Sequence, residues 1–164
     1  MEDWDLPSPF IHERVAVHAE IDAYGHVNNA VYVSWLDDCA WAHAISVGLG
    51  PELCRSLNRG MAVWRTQINY LAPAFEGDEI QVGTWPVYND MRLRMDRRFQ
   101  IRRKSSGETL LRALIHYVCI DLQSGRARRI PEEFKGYRVA PEVAALVAAQ
   151  TELFLPGVEP RADR

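Results

Sequence analysis

Eight consecutive positions, 22–29, carry the chain's densest group of reactive side chains: Asp22, His26, Asn28 and Asn29, with Gly25 among them. An apolar run with helical spacing follows directly. A carboxylate, an imidazole and two amides at the mouth of a helix suit a site where charge is moved or stabilised. A structural turn needs Gly and Asn, but it does not need Asp22 and His26 as well.

Such a site must be held by the elements around it. Residues 11–20 read as a first strand, with Val15 and Val17 on one face. From Ala30 the period changes: Tyr32, Trp35, Leu36, Cys39, Ala42, His43 and Ile45 recur at helical spacing, which predicts a helix of about four to five turns. Asn28 or Asn29 serves as its N-cap, and Gly48, Gly50 and Pro51 end it. Four strand-like runs follow a linking segment: 61–71, 79–88, 92–104 and 109–122. Pro86 marks an edge or a bulge in the second of these. In the third, Leu93, Met95, Phe99 and Ile101 alternate with Arg92, Arg94, Arg98, Gln100 and Arg102, as in a half-buried antiparallel strand. The fourth is almost wholly apolar and belongs in the middle of a sheet. Residues 141–154 read as a short C-terminal helix packing through Val143, Leu146, Val147 and Phe154, with a loose tail from 155. A single long helix with an apolar face wants a sheet to cover. The economical arrangement is an α+β fold, with a five-stranded antiparallel sheet wrapped around one long central helix. It makes a single domain over 1–164, with its core at about 10–135 and a C-terminal extension at about 136–164.

The 164 residues suffice to bury a substantial core. A net charge of −3 gives no overall pull toward nucleic acid or an anionic membrane. No apolar run approaches the roughly 18 residues that a membrane-spanning helix needs. Residues 1–10 hold three acids and two prolines, unlike a secretory signal. Cys39, Cys54 and Cys119 are far apart and odd in number, as suits reduced thiols in a cytoplasm rather than a metal pattern or disulfide framework.

The run Asp22-x-x-Gly25-His26-Val27-Asn28-Asn29-x-x-Tyr32-x-x-Trp35 resembles the signature of the hotdog-fold acyl thioesterases, of the 4-hydroxybenzoyl-CoA and acyl-carrier-protein types. So do Arg65-Thr66-Gln67-Ile68-Asn69-Tyr70-Leu71-x-Pro73 with Gly77-Asp78-Glu79, and Cys119-x-Asp121-Leu122-x-Ser124-Gly125-Arg126 before Ile130-Pro131. The resemblance covers roughly residues 10–135. It implies hydrolysis of an acyl or aryl thioester of CoA or a carrier protein, with no metal and no other cofactor. It also implies a homodimer joined sheet edge to sheet edge, often paired again into a dimer of dimers, with sites at the subunit interface.

On the same resemblance Asp22 acts as nucleophile or as general base on water. The backbone amides at Asn28, Asn29 and Ala30 receive the oxyanion at the helix N-terminus. His26 orients Asp22, polarises the carbonyl or activates water, or is a loop histidine bonded to backbone. At Tyr24 the chain departs from the pattern: plant enzymes carry Asn there, and the aspartate-only branch often carries Gly. Another branch places its carboxylate on the central helix, where Asp37 and Asp38 stand. Tyr32, Trp35, Trp41, Met61 and Trp64 are candidates for lining an acyl pocket, or are core residues. Arg102, Arg103 and Lys104 are candidates for gripping the phosphates of CoA; a solvated strand face explains them equally well. Two other functions fit the same residues: a hotdog dehydratase or hydratase, and a non-catalytic acyl-CoA binding protein.

Overall fold

The computed structural model describes residues 4–149. Strands β1 (Phe10–Val15), β2 (Arg59–Tyr70), β3 (Glu79–Asn89), β4 (Arg94–Arg103) and β5 (Thr109–Asp121) form one sheet. Their order is β1-β3-β4-β5-β2, and every neighbouring pair is antiparallel. The apolar run 109–122 thus lies inside the sheet as β5, while β2 leaves one edge unpaired. The helix α1 (Asn29–Ser46) crosses the inner face and buries Tyr32, Trp35, Leu36, Cys39 and Ala44. This is the hotdog arrangement, α+β, with one long helix wrapped by a five-stranded sheet. Ile45, expected on the packing face, is exposed because Ala44 takes the inward position in the last turn of α1 and the next residue lies about 100° further round the helix.

Pro86 is accommodated in both expected ways. The β3–β4 register shifts between Pro86 and Tyr88, and β1 stops pairing at Phe10 opposite Thr84. Pro86 therefore needs no ladder hydrogen bond toward β1.

The linking segment forms a short helix α2 (Pro51–Leu57), and a 3-10 turn over Glu132–Tyr137 buries Phe134 and Tyr137. A third helix α3 (Pro141–Ala149) packs Val143 against Leu6, Trp85, Val87 and Leu114. Leu146, assigned to the packing face by its spacing, is exposed. The rest of the expected helix, 150–154 with Phe154, and the tail from 155 lie outside the described residues. Among the described residues no helix is long and apolar enough to cross a membrane.

The outer face of the sheet departs most from the expected half-buried pattern. Asp96, Arg98, Gln100 and Arg102 of β4 are buried. Residues 4–7 and α3 cover this face from Arg98 to Arg102 and exclude the solvent that the alternation implied, while Asp96 pairs with His116 at 2.9 Å. Asp5 holds Arg112 through two hydrogen bonds of 2.6 and 2.8 Å. Its amide donates to Gln100 Oε1, and the Trp85 indole N–H donates to the Pro7 carbonyl. Trp4 lies so close to β3 that a Cβ added at Gly83 would come within 2.5 Å of its ring. Gly83→Ala is expected to displace Trp4 and cost about 1–3 kcal/mol. Urea unfolding, with proteolysis before residue 10 as a second readout, checks this.

Candidate active site

The 22–29 segment is a closed loop between β1 and α1. Ile21 and Val27 pair across its base. Asp22 N–H donates to the His26 carbonyl at 2.7 Å, and Gly25 N–H donates to the Asp22 carbonyl at 3.0 Å. Gly25 turns the chain at φ +80, a conformation that L side chains resist. Asp22 Oδ1 accepts from the Tyr24 amide at 2.8 Å and the His26 amide at 3.3 Å. Asp22 therefore shapes the loop with one carboxylate oxygen. The other has no hydrogen-bond partner among the described residues.

Glu20, which the sequence reading passed over, fastens this loop to its surroundings. Its Oε1 accepts from Arg14 at 2.8 Å and from the Trp35 indole at 3.0 Å. Its Oε2 accepts from the Val17 amide, and its backbone carbonyl accepts from Asn28 N–H. One side chain thus ties β1, the loop and α1 together.

The start of α1 divides its amides unequally. Asn28 N–H is taken by Glu20, and Ala30 N–H by Asn28 Oδ1 at 2.9 Å, which makes Asn28 the N-cap. Val31 N–H returns to the Asn28 carbonyl. Of the Asn28, Asn29 and Ala30 amides, only that of Asn29 has no protein acceptor among the described residues. It lies at the positive end of the helix dipole.

Asp22, Tyr24, His26, Asn29, Tyr32 and Tyr70 line one open cleft of about 380 Å³. Tyr24 is 86% exposed at its rim. The Tyr32 hydroxyl accepts from Ala74 N–H, and the Tyr70 hydroxyl donates to the Asn29 carbonyl at 3.0 Å. The His26 ring makes no hydrogen bond among the described residues and meets Phe75 edge-on at 5.3 Å. The cleft holds one free carboxylate oxygen, one unbonded imidazole and one unbonded helix amide. That set can deliver a nucleophile or base and receive an oxyanion.

The other sequence candidates lie elsewhere. Trp35 is fully buried beneath the Arg14 guanidinium. Trp64 is half exposed on β2 against His116 and Arg94. Arg102 is buried over Trp4 on the outer face, with Nε donating to the Gly107 carbonyl. Arg103 binds Asp78 at 3.0 Å, Glu108, and the carbonyl of Pro73, which lines the cleft. Lys104 pairs with Glu13, and Asp38 with Arg14. Among the described residues no three His, Cys, Asp or Glu side chains cluster as metal ligands do.

The thioesterase-like superfamily profile matches residues 16–137, a span that contains the loop, α1 and all of β2–β5. The chain belongs to the thioesterase-like superfamily. No curated protein matches its sequence. Solved structures of similar fold include Slr0204, a 1,4-dihydroxy-2-naphthoyl-CoA thioesterase from Synechocystis, with TM-score 0.71 and 22% identity over 79% of this chain and 95% of that one. YbaW, a probable thioesterase from Escherichia coli, gives TM-score 0.66 and 24% identity over 78% and 95%. SAV2348 from Staphylococcus aureus, solved in complex with CoA, gives 0.76 and 18% over 98% and 99%.

This thioesterase-like chain also carries a charge that the strand pattern concealed. Arg97 stands on the inner face of β4 between Met95 and Phe99 and is 1% exposed. Its Nη1 donates to His43 Nδ1 at 2.7 Å, and its guanidinium lies 5.6 Å from the Tyr137 ring centre. Among the described residues its Nε has no acceptor and no carboxylate pairs with it. It lines a cavity of about 80 Å³ with Asp37, Trp41, Met61, Tyr117 and Tyr137. Burial pulls Arg97 below the usual guanidinium range. Burial first, then Arg97, pulls His43 down to about 4. Burial, aided by Asp38, raises Asp37.

The lowered His43 has a stability consequence. Between about pH 6.5, where a histidine titrates in the unfolded chain, and about 4, where His43 titrates in the fold, the unfolded state binds the extra proton. Stability present above about pH 6.5 is therefore lost as pH falls toward 4. His43→Gln is expected to flatten that part of the profile, as read from urea midpoints between pH 7 and 4.5.

Proposed function

We propose that the protein is an acyl-CoA thioesterase, hydrolysing an acyl or aryl thioester to the free acid and CoA. The observation that carries this reading is the pairing, in one cleft, of the free Asp22 oxygen with the unbonded Asn29 amide. Membership of the thioesterase-like superfamily supports it.

The thioester carbonyl oxygen sits at Asn29 N–H, where the helix dipole adds to the hydrogen bond. Asp22 attacks the carbonyl carbon or takes a proton from water that does so. The oxyanion that forms is held by the Asn29 amide. Its collapse breaks the C–S bond, and the departing CoA sulfur takes the proton that Asp22 removed from water; where Asp22 itself attacks, the sulfur is protonated from solvent and water then cleaves the acyl-Asp22 anhydride to release the acid and restore the carboxylate. His26 stands in the same cleft without a fixed partner and assists this proton movement. Arg103, hydrogen-bonded to the Pro73 carbonyl, Asp78 and Glu108, is the basic residue this reading assigns to a CoA phosphate; Arg102 is on the other side of the sheet.

The assembly in this reading is a homodimer formed through β2. That strand offers an unpaired edge of 12 residues, with Val63, Trp64 and Tyr70 exposed. A free edge of that length is a template for a second strand.

Thiol release from an acyl-CoA panel, followed with a thiol-reactive dye, tests the reaction. Release from at least one member, lost in Asp22→Asn, is the expected result. No release from any member, with water addition to an enoyl-CoA, would overturn it in favour of a hydratase.

A further inference from the structure

Among the described residues Arg97 is a fully buried cation without a counter-charge. A buried charge lacking an anion is strongly unfavourable, and the hydrogen bond to neutral His43 supplies no negative charge. Arg97 borders empty space, the cavity that it lines with Tyr117, Tyr137 and Asp37. A planar guanidinium fork matches a carboxylate, which accepts two parallel hydrogen bonds and brings the missing charge. A phenol or a water would satisfy a donor without neutralising the cation.

The position of the cavity suggests where the carboxylate comes from. Val63 and Met61 of β2 line it, and an adjoining cleft of about 390 Å³, which shares Trp41, Cys54 and Met61, runs between α1, α2 and the same strand. Antiparallel self-pairing over the full length of β2 sets its two ends opposite each other. Tyr70, at the rim of the Asp22 cleft in one protomer, then faces the 59–61 end in its partner. The cleft of one copy and the Arg97 cavity of the other become neighbours on the inner side of a continuous sheet.

We propose that the Arg97 cavity is a carboxylate subsite, and that the enzyme prefers thioesters whose acyl group ends in an acid. This rests on the thioesterase reading for the substrate, but not for the binding of a carboxylate.

Two measurements separate these. The first compares kcat/KM for matched pairs: succinyl- against butyryl-CoA, glutaryl- against pentanoyl-CoA, and adipoyl- against hexanoyl-CoA. At least one acid member is expected to exceed its neutral partner by about 30-fold, equivalent to about 2 kcal/mol. Arg97→Met should collapse that ratio, and Arg97→Lys, which keeps charge without the fork, should restore part of it. If Arg97→Met does not fold, the wild-type ratios and Arg97→Lys still decide. Equal rates within every pair, or preference for a neutral or hydroxyaryl acyl group, would overturn the proposal. The second measurement needs no turnover: the Tm of the wild type in sodium glutarate against sodium chloride at equal ionic strength. A rise that shrinks in Arg97→Lys supports the subsite even if no thioester is hydrolysed. No rise, with thioesters hydrolysed without acid preference, removes the subsite and leaves the thioesterase reading standing. A glutarate effect beside equal rates in all pairs marks a site for a free acid and overturns the acyl-borne assignment.

Discussion

Asp22→Asn is expected to lower kcat by about a thousandfold while Tm and oligomeric state stay close to those of the wild type. The expectation follows from the divided use of the carboxylate. Oδ1 accepts from the Tyr24 and His26 amides and holds the loop closed. An asparagine Oδ1 accepts from the same two amides, so the loop keeps its shape. What Asn lacks is the charge, and with it any capacity to attack a carbonyl or take a proton from water. Loss of a general base alone removes about 10²–10⁴ in rate. Asp22→Ala deletes the loop acceptor as well, so it should lose stability by about 1 kcal/mol in addition to activity. If the Asn and Ala variants both kept the wild-type rate and differed only in stability, Asp22 would be a loop-shaping residue and nothing more. Steady-state thiol release with parallel thermal melts distinguishes the outcomes.

The hotdog frame was legible because its elements follow strong local rules. Helical spacing from Tyr32 to Cys39, turn signals at Gly77–Asp78 and Gly107, and the apolar β5 each leave one solution. The reading failed where distant segments act on one another. The side chains at Arg94, Arg98, Gln100 and Arg102 alternate as though solvated, yet residues 4–7 and α3 bury most of them. Nothing local to β4 announces that cover. Glu20 was missed because its role depends on four partners brought together by folding, from Arg14 to Trp35. Arg97 was the more instructive miss, since its signal was present. It occupies an odd-numbered position in line with Met95, Phe99 and Ile101, the apolar side of the strand. Reading the alternation from the apolar positions alone passed over what parity exposes: one cation facing the core. Which amide of the 28–30 group is free was also beyond the sequence. It depends on whether Asn28 caps with its side chain and on where its own N–H goes.

That last point yields a substitution that removes a single backbone donor. Asn29 is the first residue of α1 after the Asn28 cap, the position at which proline is best tolerated in a helix. Asn28 has φ −59 and ψ 137, an extended conformation that a following proline favours. Asn29→Pro should therefore leave α1 intact and melt within a few degrees of the wild type. It deletes the one N–H of the group that no acceptor among the described residues uses. If that amide holds the oxyanion, kcat falls by about 100-fold or more, as when one preorganised donor is lost from an oxyanion hole. The effect should appear in kcat rather than KM, because the hydrogen bond strengthens as charge develops. Asn29→Ala removes the side chain and keeps the donor, so its rate separates the role of the amide from any role of the carboxamide. A folded Asn29→Pro enzyme with wild-type kcat would move the oxyanion site away from the helix N-terminus and leave His26 as the group in the cleft able to serve it.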